Sequence, residues 1–135
     1  FLNKFGLATW FSQWVVGNVQ GFSWVTGFAL VSLVYFYTHY FFASNVAHIG
    51  AMYIPLLVVS IALGTPPELA ALTMAFFSSL FGGLTHYGSG PAPILFGMGH
   101  STVGEWWKVA GIVSLVNIAI WMLAGGLWWK FLGLW

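Results

Sequence analysis

The 135-residue chain is 60% hydrophobic, 20% aromatic and only 4% charged, with a net charge of +1 and no cysteine. An ordinary soluble domain carries about 25% charged residues, and a chain this short keeps too much surface exposed to hide so much apolar area. The composition therefore predicts an integral membrane protein, and it excludes disulfides, cysteine-ligated metals and thiol chemistry; three cations are too few for a nucleic-acid partner.

No basic stretch or small-residue cleavage site marks a secretory signal, and a chain opening on Phe1 is expected to be a fragment or a processed piece. Residues 5–19 are predicted to form an amphipathic helix. Leu7, Trp10, Phe11, Trp14 and Val15 recur at helical spacing, while Thr9, Ser12 and Gln13 fall largely off that stripe. So short and Trp-rich a segment suits a helix lying in the interface, which sets the first unit at 1–20. The alternative is the end of a spanning helix.

Residues 22–42 and 46–63 are two apolar runs separated by a few small, hydrogen-bonding residues, Ala43, Ser44, Asn45 and Val46. Either each run crosses the membrane, or the pair forms a re-entrant hairpin over 21–63 with its tip near 43–46. No Lys or Arg anchors the tip at an interface, which favours the hairpin. Pro55 is expected to bend or break the second run. "GTPPE", residues 64–68, reads as a turn and a helix start, with a proline in the first turn and Glu68 at the positive end of the dipole. An apolar helix over 67–81 follows, interrupted by the glycine- and proline-rich stretch 82–93, so that 64–100 reads as a broken transmembrane helix. "STVGEWWK" reads as a surface connection. The last unit, 101–135, holds a final span from about Val109 to Trp129, with Trp106 and Trp107 at one end and Trp128 and Trp129 at the other. Lys108 and Lys130 can snorkel beside them. No internal repeat is evident.

Backbone that leaves a helix inside a bilayer is tolerated only within protein or beside a water-filled cavity. Both breaks, Ser44-Asn45 and 82–93, are followed at once by a new helix. Ser44 and Asn45 are good N-cap residues, and Pro91 and Pro93 suit a first turn. Two converging helix starts would attract an anion without Arg or Lys, and freed loop carbonyls would suit a small cation such as sodium. Each break read alone is a capped surface turn; their pairing in so uncharged a chain points to a site. His39, His48, His86 and His100 raise the alternative of a haem-binding redox subunit, although His39 and His48 straddle a break and no carboxylate is close in sequence. Hydrogen bonding around the breaks is the simpler role for them. A non-catalytic membrane subunit is the third alternative. Glu68 and Glu105 stand at separate helix boundaries, so paired-carboxylate catalysis is not expected.

"YFYTHYFFASNVAHIGAMY", "FFSSLFGGLTHYGSGPAPILFG" and "GGLWWKFLGLW" resemble the C-terminal part of the divalent anion:sodium symporter family. The similarity is strongest to the branch of 2-oxoglutarate/malate translocators and citrate/succinate antiporters. The resemblance implies an all-α elevator-type transporter in a bacterial inner membrane or a plastid inner envelope, of which this chain is the second inverted repeat. It implies secondary transport of di- or tricarboxylates, by exchange or sodium symport, in a homodimer whose other repeat completes the site. It also implies that Ser44, Asn45, Thr85, Gly88, Ser89, Gly90, Pro91 and Pro93 bind the anion. A cation site would use Ser44, Asn45, Val46, Thr85 and Gly88, with Val46 standing where the family's Ser-Asn-Thr tip has Thr. Sodium would be the coupling ion, with no other cofactor or metal.

Overall fold

The computed structural model describes residues 23–135 and, before them, Trp10, Gln13, Trp14 and Gly17. The interfacial helix expected over 5–19 thus lies almost wholly outside the described residues. The described residues from Ser23 onward are helical, joined by turns.

Helix α1 spans Trp24–Tyr37, opened by Ser23, whose Oγ accepts the Thr26 N–H at 3.3 Å. It tightens into a single 3-10 turn, Thr38–Phe41. After a short extended link, α2 runs Asn45–Ala62, capped by Ser44, whose Oγ accepts the Ala47 N–H at 3.4 Å. Helix α3 spans Pro67–Leu80, with Pro67 in its first turn and Glu68 beside it. A 3-10 turn, Phe81–Gly83, leads into the loop 84–90. Helix α4, Pro91–Gly97, has seven residues. Helix α5, Val103–Ile120, passes through a π turn, Trp121–Gly125, into α6, Gly126–Phe131.

Two local readings of the sequence change, and a third is narrowed: of the bend or break expected at Pro55, the break is absent, and helix α2 runs through. The proline is buried, and apolar surroundings make the loss of one backbone bond less costly than an opened helix would be. The helical breaks are narrower than expected, because 3-10 turns use up Phe81–Gly83 and Pro91 starts α4 at once. The presumed surface connection is instead the beginning of α5. Thr102 caps it, and Glu105 reaches back to the Thr102 N–H at 2.8 Å, a reciprocal capping box.

Among the described residues two helices are long and apolar enough to cross a membrane, Asn45–Ala62 and the continuous Val103–Phe131 of 29 residues. Helix α1, by contrast, reaches only about 21 Å at 1.5 Å per residue.

Helices α1, α2 and α3 pack around one aromatic core. Tyr35 and Phe36 of α1 meet Leu56 and Val59 of α2, Met74 and Phe77 of α3, and Phe81 beyond it, all within 1% exposure. Phe36 and Phe77 meet edge to face at 5.2 Å, as ring quadrupoles prefer. A smaller cluster of Phe28, Leu69, Ala70 and Trp129 ties the start of α1 to α6. The face of α5–α6 is otherwise bare: Val109, Ile112, Leu115, Leu123 and Leu127 are all exposed. That would be costly in water and costs nothing against lipid tails, which are as apolar as the side chains. One polar tie holds the long helix to the hairpin, Tyr37 Oη to Ser114 Oγ at 3.1 Å.

Candidate functional site

The chain leaves helical geometry where α1 gives way to α2. Phe42 is extended, and so is Ser44 at φ −155° and ψ 134°. The start of α2 follows, carrying the partial positive charge of a helix N-terminus and first-turn N–H groups without intrahelical acceptors. Ser44 uses its hydroxyl to cap this start. Asn45 turns its carboxamide toward the neighbouring loop, where a Cβ placed on Gly82 would lie 2.7 Å from Asn45 Nδ2. The Asn45 Oδ1 is buried without a partner.

The loop 84–90 folds against the same end of the hairpin. Tyr87 Oη donates to the Tyr40 carbonyl at 2.8 Å. Gly88 packs so tightly on the His39 ring that a Cβ there would collide with Nε2. Tip and loop together line one cleft of about 490 Å³, with Ala43, Ser44, Asn45 and Val46 on one side and Tyr87, Ser89, Gly90, Pro91 and Pro93 on the other. No charged side chain lines it. Any attraction for an anion must therefore come from backbone and neutral donors.

The residues expected to bind divide into two sets. Ser44, Asn45, Val46, Ser89, Gly90, Pro91 and Pro93 surround the cleft. Thr85 and Gly88 do not line it; both are buried behind it, Thr85 with no exposure at all, because the loop's first turn tucks under the hairpin against His39. The two helix starts are also unequal. Helix α2 has 18 residues and a side-chain cap, whereas α4 is seven residues long and its cap position, Gly90, has no side chain to offer. The electrostatics of the cleft rest mainly on α2. Tyr87 and Gly82 were not singled out from the sequence. The tyrosine's part in "THYGSG" and the glycine beside a broken helix were the signals available.

The histidines take up separate places. His39 and His48 are fully buried and bonded to each other, Nδ1 to Nδ1 at 3.2 Å, with Phe81 4.5 Å from each ring. Rings this close leave no room for a porphyrin between them, which removes their use as a facing haem pair. His86 Nδ1 accepts from Trp107 Nε1 at 3.4 Å, and His100 is exposed. Among the described residues no three His, Asp or Glu come together. Glu105 serves the α5 cap and Glu68 the α3 start. A second cavity, of about 370 Å³, lies between Leu80–Leu84 and α5 and holds none of the expected binding residues.

Comparison with known proteins follows the same line. The sequence profile of the sodium:sulfate symporter transmembrane region matches residues 1–135. The chain is 57% identical to dicarboxylate transporter 1, chloroplastic, of Arabidopsis thaliana, over 100% of its own length and 25% of that protein. It is 53% identical to the putative malate transporter YflS of Bacillus subtilis, over 100% of its length and 28% of the relative. It is 30% identical to inner membrane protein YbhI of Escherichia coli, over 97% of its length and 28% of the relative. The chain thus spans about a quarter of the length of these curated relatives. They are transport and membrane proteins rather than enzymes. With a profile match across every residue, the chain belongs to the divalent anion:sodium symporter family, as a stretch of its transmembrane region.

Proposed function

We propose that the protein containing this chain moves dicarboxylates across a bacterial inner membrane or a plastid inner envelope, and that the cleft between hairpin tip and loop is half of its anion site. Ser44 and Asn45 hold carboxylate oxygens, aided by first-turn amides of α2. Ser89, Gly90, Pro91 and Pro93 form the facing wall, with Thr85 and Gly88 supporting it from behind. The other half comes from the remaining three quarters of the protein, as an inverted repeat with its own tip. The assembled protein is a homodimer working by elevator-like displacement. Exchange needs nothing further from these residues. Sodium symport would draw on Ser44, Asn45 and the loop carbonyls, with Val46 supplying no hydroxyl.

The single observation carrying this reading is that two separate interruptions of helix, forty residues apart in sequence, line one uncharged cleft. An interrupted helix costs hydrogen bonds that only a ligand, water or protein can restore. The test is radiolabelled succinate uptake by the full-length protein in proteoliposomes. Asn45→Ala and Ser44→Ala should each weaken uptake severalfold or more. Uptake indistinguishable from the parent in both would overturn the site.

A further inference from the structure

The cleft as described makes no use of the two imidazoles buried at the neck of the hairpin. His39 stands on the 3-10 turn before the tip, and His48 on the first turn of α2 after it. Their bonds have a direction that can be worked out. Thr38 Oγ1 donates its one proton to the Tyr35 carbonyl, at 3.1 Å. Thr38 also contacts His48 Nε2 at 3.1 Å, so there it must accept, and His48 carries its proton on Nε2. Neutral His48 is then bare at Nδ1 and accepts from His39 Nδ1–H across 3.2 Å. That leaves His39 Nε2 as a lone pair.

This nitrogen and Thr85 Oγ1 are both buried and neither makes a hydrogen bond within ordinary geometry, to each other or to the Gly88 backbone beside the His39 ring. Both crowd the face of Gly88: a Cβ there would collide with His39 Nε2 and lie 2.6 Å from Thr85 Oγ1. One orphan acceptor and one orphan donor thus face the same glycine, beside a His39 ring on which Phe81 stacks.

We infer that His39 and His48 are positioning residues of the anion site, and that Thr85 closes their chain by donating to His39 Nε2 rather than touching the anion. The chain runs from Thr85 through His39, His48 and Thr38 to the Tyr35 carbonyl. It ties the loop to both arms of the hairpin, on either side of Ser44 and Asn45, and so sets where the tip stands relative to the loop. Thr38, His48 and His39 each give one proton and take one, while Thr85 only gives and the Tyr35 carbonyl only takes, so losing an inner member orphans a buried group and loosens the rest. This role rests on the carboxylate-transport reading.

The test uses the full-length protein in proteoliposomes with radiolabelled succinate. Thr85→Val keeps the shape and removes the hydroxyl; it should raise KM by about tenfold, the order of one lost buried hydrogen bond, with the maximal rate little changed. Thr85→Ser restores the hydroxyl and should restore KM. A residue that merely fills space would give the reverse order. His39→Leu should raise KM similarly, and Thr85→Val added to it should change little more. Multiplying effects would mean that Thr85 meets the anion on its own account and would overturn the chain. Imidazole 15N spectra of the same protein give a readout without transport. They should show His39 unprotonated at Nε2, with that resonance moved by Thr85→Val. A His39 proton on Nε2, or no response to Thr85→Val, overturns the inference even where uptake is normal. Absence of succinate uptake by the parent defeats the transport reading, while the spectra still decide the chain.

Discussion

The Asn45 carboxamide occupies the space that a side chain at Gly82 would need: a Cβ there would sit 2.7 Å from Asn45 Nδ2 and 3.1 Å from Oδ1. The absence of a side chain at one helix break thus lets the other break project its amide. Gly82→Ala is expected to push Asn45 out of place. Overpacking of this kind costs about 1–3 kcal/mol, roughly five- to 150-fold in affinity if it falls on the site. At Gly83 nothing lies within 4 Å of an added Cβ, so Gly83→Ala should leave affinity unchanged. Succinate affinity of the two full-length variants, measured side by side, checks this. Equal behaviour would separate Asn45 from the anion site.

Two tyrosines make the same bond in different places. Tyr87 Oη donates to the Tyr40 carbonyl at 2.8 Å, beside the cleft, and Tyr53 Oη donates to the Ala71 carbonyl at 3.1 Å, between α2 and α3. Removing either hydroxyl should cost about 1 kcal/mol of stability, the ordinary worth of such a bond. Thermal unfolding in detergent should therefore fall modestly in both Tyr87→Phe and Tyr53→Phe. Only Tyr87→Phe should also lower succinate affinity, by a few-fold, because only that bond fixes a wall of the cleft.

Local chemistry made much of the fold readable in the sequence. Ser44 before an apolar run, and proline at the head of α3 and of α4, are cap and first-turn signals that depend on near neighbours alone. The start of α5 was equally local, yet Thr102 and Glu105 at capping-box spacing were hidden by the tryptophans and lysine that follow, which look like an interface. What spacing alone cannot carry is contact across distance. Nothing in "FGGLTHYG" says that Gly82 faces Asn45, that Thr85 goes under the hairpin, or that His39 and His48 bond to each other. Those facts come from the packing of three helices on Phe36, Phe77 and Phe81. The same packing splits the expected binding residues into a lining set and a buried set.

Exposure has two meanings in a membrane protein, and cysteine chemistry separates them. Val46 is 79% exposed and lines the cleft, while Ile54, one face along α2, is 55% exposed and lies outside it. A charged thiol reagent needs water, because the reactive thiolate does not form in lipid. In a full-length background otherwise free of accessible thiols, Val46→Cys should react and be protected by succinate. Ile54→Cys should stay unreactive despite its exposure. Equal labelling of both, or labelling at position 46 that succinate does not slow, would place the cleft away from the transport path.

The same position speaks to the coupling ion. At the hairpin tip, Ser44 and Asn45 offer oxygens, whereas Val46 offers only methyl groups, and sodium is bound by oxygen rather than by hydrocarbon. Thr has nearly the shape of Val, and at an exposed first-turn position its hydroxyl need not be buried unpaired. Val46→Thr should thus fold as the parent does and add one oxygen to the rim of the cleft. If the tip lies at a cation site, succinate uptake by this variant should depend more steeply on sodium than uptake by the parent, measured with sodium replaced by choline. A parent that is indifferent to sodium and a variant that responds to it would identify Val46 as a residue that disfavours the cation. A variant with unchanged sodium response would show that a hydroxyl at position 46 has no part in coupling.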